Sequence, residues 1–177
     1  MKNSKTFSTQ TLARLAIVAT IYYAMTRAIA PLAYGEIQFR ISEVLLLLCF
    51  YDKRYSFSLI VGCLLANLWS PLGAYDLLFG TLQTVVSVAI ISWAPNLFTA
   101  SLAPLVGCIF IGYELNIVFG TPILIATLWV MLGEFVVVTI LGYPLFKLLE
   151  RNETFMSLIK QPKLPSKNNI PSKSHQG

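Results

Sequence analysis

Long apolar runs separated by short polar breaks dominate the chain from about residue 12 to residue 149. The runs are nearly continuous, and several approach the roughly 20 residues that a membrane-spanning helix needs. The pattern therefore predicts an all-α integral membrane protein with six transmembrane helices. We place these helices at residues 12–33, 38–51, 56–70, 75–93, 102–118 and 122–149.

The two ends of the chain differ from this central part. Residues 1–11 are mostly polar and predict a short cytoplasmic lead, while residues 12–150 form one transmembrane domain. Residues 151–177 carry Pro162, Pro165 and Pro171 among lysines, serines and asparagines, a composition typical of a largely disordered tail.

The formal net charge of +5 is distributed unevenly between the two sides of the predicted bundle. Eleven of the 13 lie on one side of the predicted bundle, and Arg27 and Arg40 lie on the other. The positive-inside rule then places both termini in the cytoplasm of a multi-pass cell-membrane protein, and this distribution argues against nucleic-acid binding. The eleven are Lys2, Lys5, Arg14, Lys53, Arg54, Lys147, Arg151, Lys160, Lys163, Lys167 and Lys173.

A polar decapeptide, residues 34–43, interrupts the apolar pattern after the first predicted helix. It contains Glu36, Gln38, Arg40 and Glu43 in a chain of which only 12% is charged. An ionised group at the bilayer centre costs roughly 2.5–3.5 kcal/mol on insertion scales, so clustered charges at a membrane boundary indicate a function. If the segment is helical, Arg40 lies near both Glu36 and Glu43.

The fourth predicted helix carries a polar stripe formed by Asp76, Gly80, Gln83, Thr84 and Ser87. Their spacing places all five on one helix face. The stripe is compatible with hydrogen-bonded helix packing, worth about 0.6 kcal/mol per bond, but a carboxylate and an amide together favour a polar cavity.

Glu134 falls about 18 Å along the last predicted helix, at 1.5 Å per residue. A carboxyl group at that depth needs a partner, a proton or a ligand. A protonated glutamic acid bonded to another helix is the structural alternative to a binding role. Glu114 is a further acidic residue at the predicted outer end of the bundle, and Tyr113 and Asn116 lie beside it in the sequence.

The first predicted helix has a stripe of small residues that includes Ala16, Thr20 and Ala24 at intervals of four. Small residues let helices approach closely where lipid supplies no hydrophobic drive. The spacing fits packing within the bundle and a partner surface equally well.

The sequence lacks the residues that metal sites, nucleotide-binding sites and catalytic sites usually require. The only histidine, His175, lies in the tail, and the three cysteines are widely spaced within apolar runs, so we expect no metal site. The sequence has no Gly-x-x-x-x-Gly-Lys-Ser/Thr phosphate-binding loop and no motif for a catalytic nucleophile. We therefore expect no catalytic residues and no bound cofactor, and an enzyme using the acidic residues is the least favoured alternative.

The chain closely resembles the QueT family, the substrate-capture (S) components of energy-coupling factor (ECF) transporters associated with import of queuosine precursors. The resemblance covers about residues 10–150. It rests on Gly-Glu-Ile-Gln-Phe-Arg-Ile-Ser-Glu at 35–43, Ala-Asn-Leu-Trp-Ser-Pro-Leu-Gly at 66–73, and Asp76-x-x-x-Gly80-Thr81.

The resemblance implies a six-helix S component with a ligand pocket near the outer face, covered by the loop after the first helix. It also implies a transmembrane coupling subunit and two cytoplasmic ATPases as partners, with ATP used by the ATPases. Small residues of the first helix would contact the coupling subunit, which assigns Ala16, Thr20 and Ala24 to that surface.

The ligands implied by the resemblance are 7-deazaguanines such as queuine. A carboxylate can accept the two adjacent donors of the guanine-like edge, and an aromatic ring can stack on the base. Two alternatives remain open, namely an S component for another water-soluble vitamin and a solitary ion-coupled transporter. The predicted binding residues are Glu36, Gln38, Arg40, Glu43, Asn67, Trp69, Asp76, Gln83, Tyr113, Glu114, Asn116, Trp129 and Glu134.

Overall fold

The computed structural model describes residues 8–34 and 38–160, and these residues form helices joined by short turns. A 3₁₀-helix spans Ile41–Leu47, and a π-helix spans Phe135–Gly142. The α-helices are α1 Thr9–Ala28, α2 Ala30–Ala33, α3 Leu48–Tyr51, α4 Tyr55–Asn67, α5 Ala74–Ile91, α6 Leu97–Leu102, α7 Pro104–Phe119, α8 Ile123–Glu134, α9 Tyr143–Leu149 and α10 Glu153–Ile159.

Local sequence signals explain the main helix ends. Ser8 caps α1 by accepting a hydrogen bond from the Thr11 backbone N–H, as serine commonly does at this position. Gly120 ends α7 with a φ of 72°, a left-handed conformation that favours glycine. Gly73 precedes α5 with a φ of 61° and completes the turn from α4.

Three helical stretches are long and apolar enough to cross a membrane, namely Ala74–Ile91, Leu97–Phe119 and Ile123–Leu149. The predicted count of six spans is therefore not confirmed. Ile41–Tyr51 and Tyr55–Asn67 are apolar but shorter, and 13 residues rise only about 20 Å. α1 has the length, but Arg14 and Arg27 interrupt its apolar sequence.

The bundle turns apolar side chains outward as well as inward. Its main core lies among α1, the 3₁₀-helix, α4 and the π-helix, with a smaller core between α7 and α8. Large hydrophobic side chains such as Leu124, 72% exposed, also cover the outer surface. Because soluble monomers rarely expose extended apolar surface, this exterior fits a multi-pass membrane protein.

The beginning of the predicted tail forms α10. Ile159 is buried, and its carbonyl accepts a hydrogen bond of 3.3 Å from the Tyr55 hydroxyl. Arg14 donates to the carbonyl of Leu158 at 3.1 Å. The apolar residues of Glu153–Ile159 thus find partners on α1 and α4 that composition alone does not reveal.

Candidate functional site

The end of the polar decapeptide runs into the bundle between α5 and α8. Gly133 of α8 makes this possible because a Cβ atom there would overlap the Gln38 backbone carbonyl. The side chains of Gln38, Arg40 and Glu43 are all buried as a result. Glu36 lies outside the residues that the structure describes.

Arg40 is the central cation of this region, and its guanidinium group contacts two acids. Its Nη2 lies 2.9 Å from Asp76 Oδ1, and its Nη1 lies 3.9 Å from Glu43 Oε1. Its Nε donates to the carbonyl of Ala33 at 3.2 Å, and the group lies over the Tyr34 ring. The sequence predicted Glu43 as a partner but missed Asp76, which is 36 positions away.

The polar face of α5 is buried along its whole length, as its spacing predicted. In its first turn Asp76 accepts a hydrogen bond from Ser70, and its backbone carbonyl accepts one from Asn67 Nδ2 at 3.0 Å. Gly80 leaves room for these groups, since a Cβ there would lie 2.8 Å from Asn67 Nδ2 and 3.2 Å from Arg40 Nη1.

Glu134 and Glu43 form the deeper part of the site. Gln83 Nε2 donates to Glu134 Oε1 at 2.9 Å, which joins α5 to α8. The Tyr22 hydroxyl lies 3.5 Å from Glu43 Oε1, and Glu43 is a close neighbour of Glu134. Glu134 is only 5% exposed, so it faces the bundle and not the surrounding lipid.

We call these residues the acidic cluster: Gln38, Arg40, Glu43, Asn67, Asp76, Gln83, Glu114 and Glu134. Many of its polar atoms have no hydrogen-bond partner within the described chain. Buried polar atoms normally have one, and leaving one unpaired costs about 1–3 kcal/mol. The atoms of the cluster without one are Gln38 Nε2, Arg40 Nη1, Glu43 Oε2, Asn67 Oδ1, both Oε atoms of Glu114, and Glu134 Oε2.

The predicted aromatic residues do not join the acidic cluster. Trp69, Tyr113 and Trp129 are 67%, 48% and 46% exposed, and Tyr113 packs edge-on against Phe79. Tyr113 directly precedes the buried Glu114, and neighbouring helix positions are rotated by about 100°. Their role in stacking on a ligand stays a prediction.

Asn116 Nδ2 donates to the Thr121 carbonyl at 2.9 Å across the turn between α7 and α8. Sequence reasoning missed the nearby Tyr22, Tyr34 and Ser70. Tyr22 lies in an apolar run and gives no signal of its own, but Tyr34 begins the polar decapeptide and Ser70 lies within the motif that carried the family resemblance. Among the described residues, no group of three or more acids, cysteines or histidines is arranged to hold a metal ion.

Comparison with known proteins gives two matches. The model of the QueT transporter family matches residues 12–151. The queuosine precursor transporter QueT of Lactococcus lactis subsp. cremoris (strain MG1363) is 31% identical over 168 residues, which cover 85% of this chain and 97% of that protein. No solved structure matches the chain.

Proposed function

The chain belongs to the QueT transporter family, and from this premise we propose that it is the S component of an ECF importer for queuosine precursors. The family consists of transporters, so the chain is a transport protein with a small-molecule substrate and not an enzyme. In this proposal it binds a 7-deazaguanine such as queuine near the outer face, and partner ATPases drive uptake.

The observation that carries the proposal is the acidic cluster, with its unpartnered donors and acceptors inside an apolar bundle. A guanine-like edge presents N1–H and an exocyclic amine, which one carboxylate accepts together. Glu134 Oε2 and Glu43 Oε2 are available as acceptors. The amide of Gln38 supplies a donor for the carbonyl of the base.

The ends of the bundle support the proposed orientation. Arg14 contacts α10, Lys53 lies over the Trp93 ring, and Lys147 pairs with Glu150 at the end that the positive-inside rule assigns to the cytoplasm. Arg40 and Asp76 lie at the opposite end. A ligand would therefore reach the acidic cluster from outside the cell.

Changing Glu134 to glutamine is expected to weaken deazaguanine binding at least tenfold. The amide can still accept from Gln83, but it loses a charged acceptor, and hydrogen bonds to charged groups are worth about 1.5–3 kcal/mol. Titration calorimetry of the purified protein measures the effect, with the exposed Glu153→Gln variant as a matched control. Unchanged affinity in a folded Glu134→Gln variant would remove this residue from the site.

Competition experiments address the two alternative functions. Excess unlabelled queuine should displace bound labelled queuine, whereas biotin and riboflavin should not. Displacement by a vitamin instead would support an S component for that vitamin. Accumulation by the isolated chain in proteoliposomes without ATP would support a solitary ion-coupled transporter.

The exposed side of α1, which faces away from the bundle, supports the proposed contact with the coupling subunit. Ala16, Thr20 and Ala24 are all exposed, and the Thr20 hydroxyl donates to the Ala16 carbonyl at 2.9 Å. The hydroxyl is satisfied within the helix, so the stripe presents a shallow surface to a second helix.

Replacing Thr20 with leucine should therefore reduce assembly with the coupling subunit and ATP-driven uptake, because the added bulk holds the helices apart. Ligand binding by the isolated chain should not change. Co-purification and uptake assays measure the first two effects, with Ala89→Leu on the exposed face of α5 as the control. Equal loss of assembly in both variants would contradict a specific role for the α1 stripe.

A further inference from the structure

The acidic cluster contains more negative than positive groups, and this imbalance indicates what it binds. Glu43, Asp76 and Glu114 are fully buried, and Glu134 is 5% exposed. Among the described basic residues, Arg40 is the one that pairs with acids of the cluster. With every acid ionised, the cluster would carry a net charge of about −3, which an apolar interior strongly disfavours.

Glu114 is the acid least compensated by the protein. Neither of its carboxyl oxygens accepts a hydrogen bond from a described donor, and it forms no ion pair with a described basic side chain. Its neighbour in the cluster is another acid, Asp76, whose oxygens are already engaged by Arg40 and Ser70. Ile111 and Leu115, which flank it on α7, are buried and apolar.

We propose that Glu114 is a specificity-determining residue that binds a cationic amine of the ligand, so that the protein selects aminomethyl deazaguanines over neutral ones. An ammonium group has three donors and one positive charge. It would satisfy the Glu114 oxygens and reduce the imbalance of charge. A neutral ligand of the same shape would do neither.

The arrangement of the cluster gives the ligand a direction. Arg40 contacts an acid at each end, Asp76 near Glu114 and Glu43 near Glu134. The guanine-like edge would face Glu134 and Gln83, and the amine would face Glu114. This inference rests on the proposed function, because it assumes that a deazaguanine occupies the site.

Two probes of similar shape test the inference, namely 7-aminomethyl-7-deazaguanine, which is cationic, and 7-cyano-7-deazaguanine, which is neutral. The wild-type protein should bind the amine at least tenfold more tightly. Glu114→Gln should lose about tenfold in affinity for the amine and less than twofold for the nitrile. Glu114→Asp, which keeps the charge, should retain the preference for the amine, and Glu153→Gln should match the wild type.

The outcomes separate this inference from the function on which it rests. Equal wild-type affinity for the two probes overturns the inference and leaves the proposed function standing, whether or not any variant folds. Equal losses for both probes in Glu114→Gln also overturn it, because Glu114 would then be acting on the site as a whole. Failure of the folded wild-type protein to bind either probe overturns the proposed function itself.

Discussion

Replacing Arg40 with methionine is expected to destabilise the protein by about 3–5 kcal/mol, because it leaves buried acids without their cation. The Arg40 side chain is 2% exposed and contacts Asp76 and Glu43, whose side chains are fully buried. Methionine preserves much of the apolar stem but none of the charge. The unfolding midpoint of the purified protein in detergent should therefore fall sharply.

Two further variants test the reason for this loss. Arg27→Met removes an exposed arginine that donates to the Trp69 carbonyl, and it should change the unfolding midpoint little. Adding Asp76→Asn to Arg40→Met should recover part of the stability, because it removes one of the acids left uncompensated. If the double variant is less stable than Arg40→Met, charge compensation is not the main role of Arg40.

Replacing Gly133 with alanine is expected to lower ligand affinity tenfold or more, equivalent to about 1.4 kcal/mol. The new methyl group would overlap the Gln38 carbonyl, which is backbone and cannot move without displacing Gln38 and Arg40. Overpacking of this kind costs about 1–3 kcal/mol of stability. Binding by titration calorimetry and unfolding in detergent measure the two effects together.

Gly142→Ala is the matched control, because Gly142 lies in the same final span. A Cβ there would come within 3.2 Å of Leu47 Cδ1, the end of a flexible side chain, and 3.3 Å of the Val137 carbonyl. Its effect on binding should be small. Normal binding by Gly133→Ala would show that the segment around Gln38 tolerates displacement, and that its present position is not needed for the ligand.

The sequence singled out the residues of the acidic cluster, but it did not predict all of the pairs that they form. The period of an α-helix was sufficient to place Asp76 and Gln83 on one face, and depth in an apolar run was sufficient to single out Glu134. The pairing of Arg40 with Asp76 depends on how α5 packs against a distant segment. No local pattern encodes such packing.

Two local features could not be read from the sequence. The run beginning at Ile41 starts as a 3₁₀-helix, which hydropathy does not distinguish from an α-helix. Trp69 and Trp129 were chosen as stacking candidates from their chemistry alone, and the structure shows both rings largely exposed. Residue type alone does not say which way a side chain points. On α8, Thr127 and Val130 are buried, and Trp129 lies on a more exposed face of the same helix.

The π-helix that follows Glu134 has a consequence for how this protein can vary among relatives. Hydrogen bonds from residue i to i+5 accommodate an extra residue within the turn, so Phe135–Gly142 is wider than an α-helix of the same length. Loss of one residue there could be absorbed by a return to an α-helix, which leaves the following helix in its orientation relative to Glu134. Phe146 would then keep its stack on Tyr51. Single-residue deletions should therefore be tolerated better in this stretch during evolution than within α8, where no wider turn can absorb them.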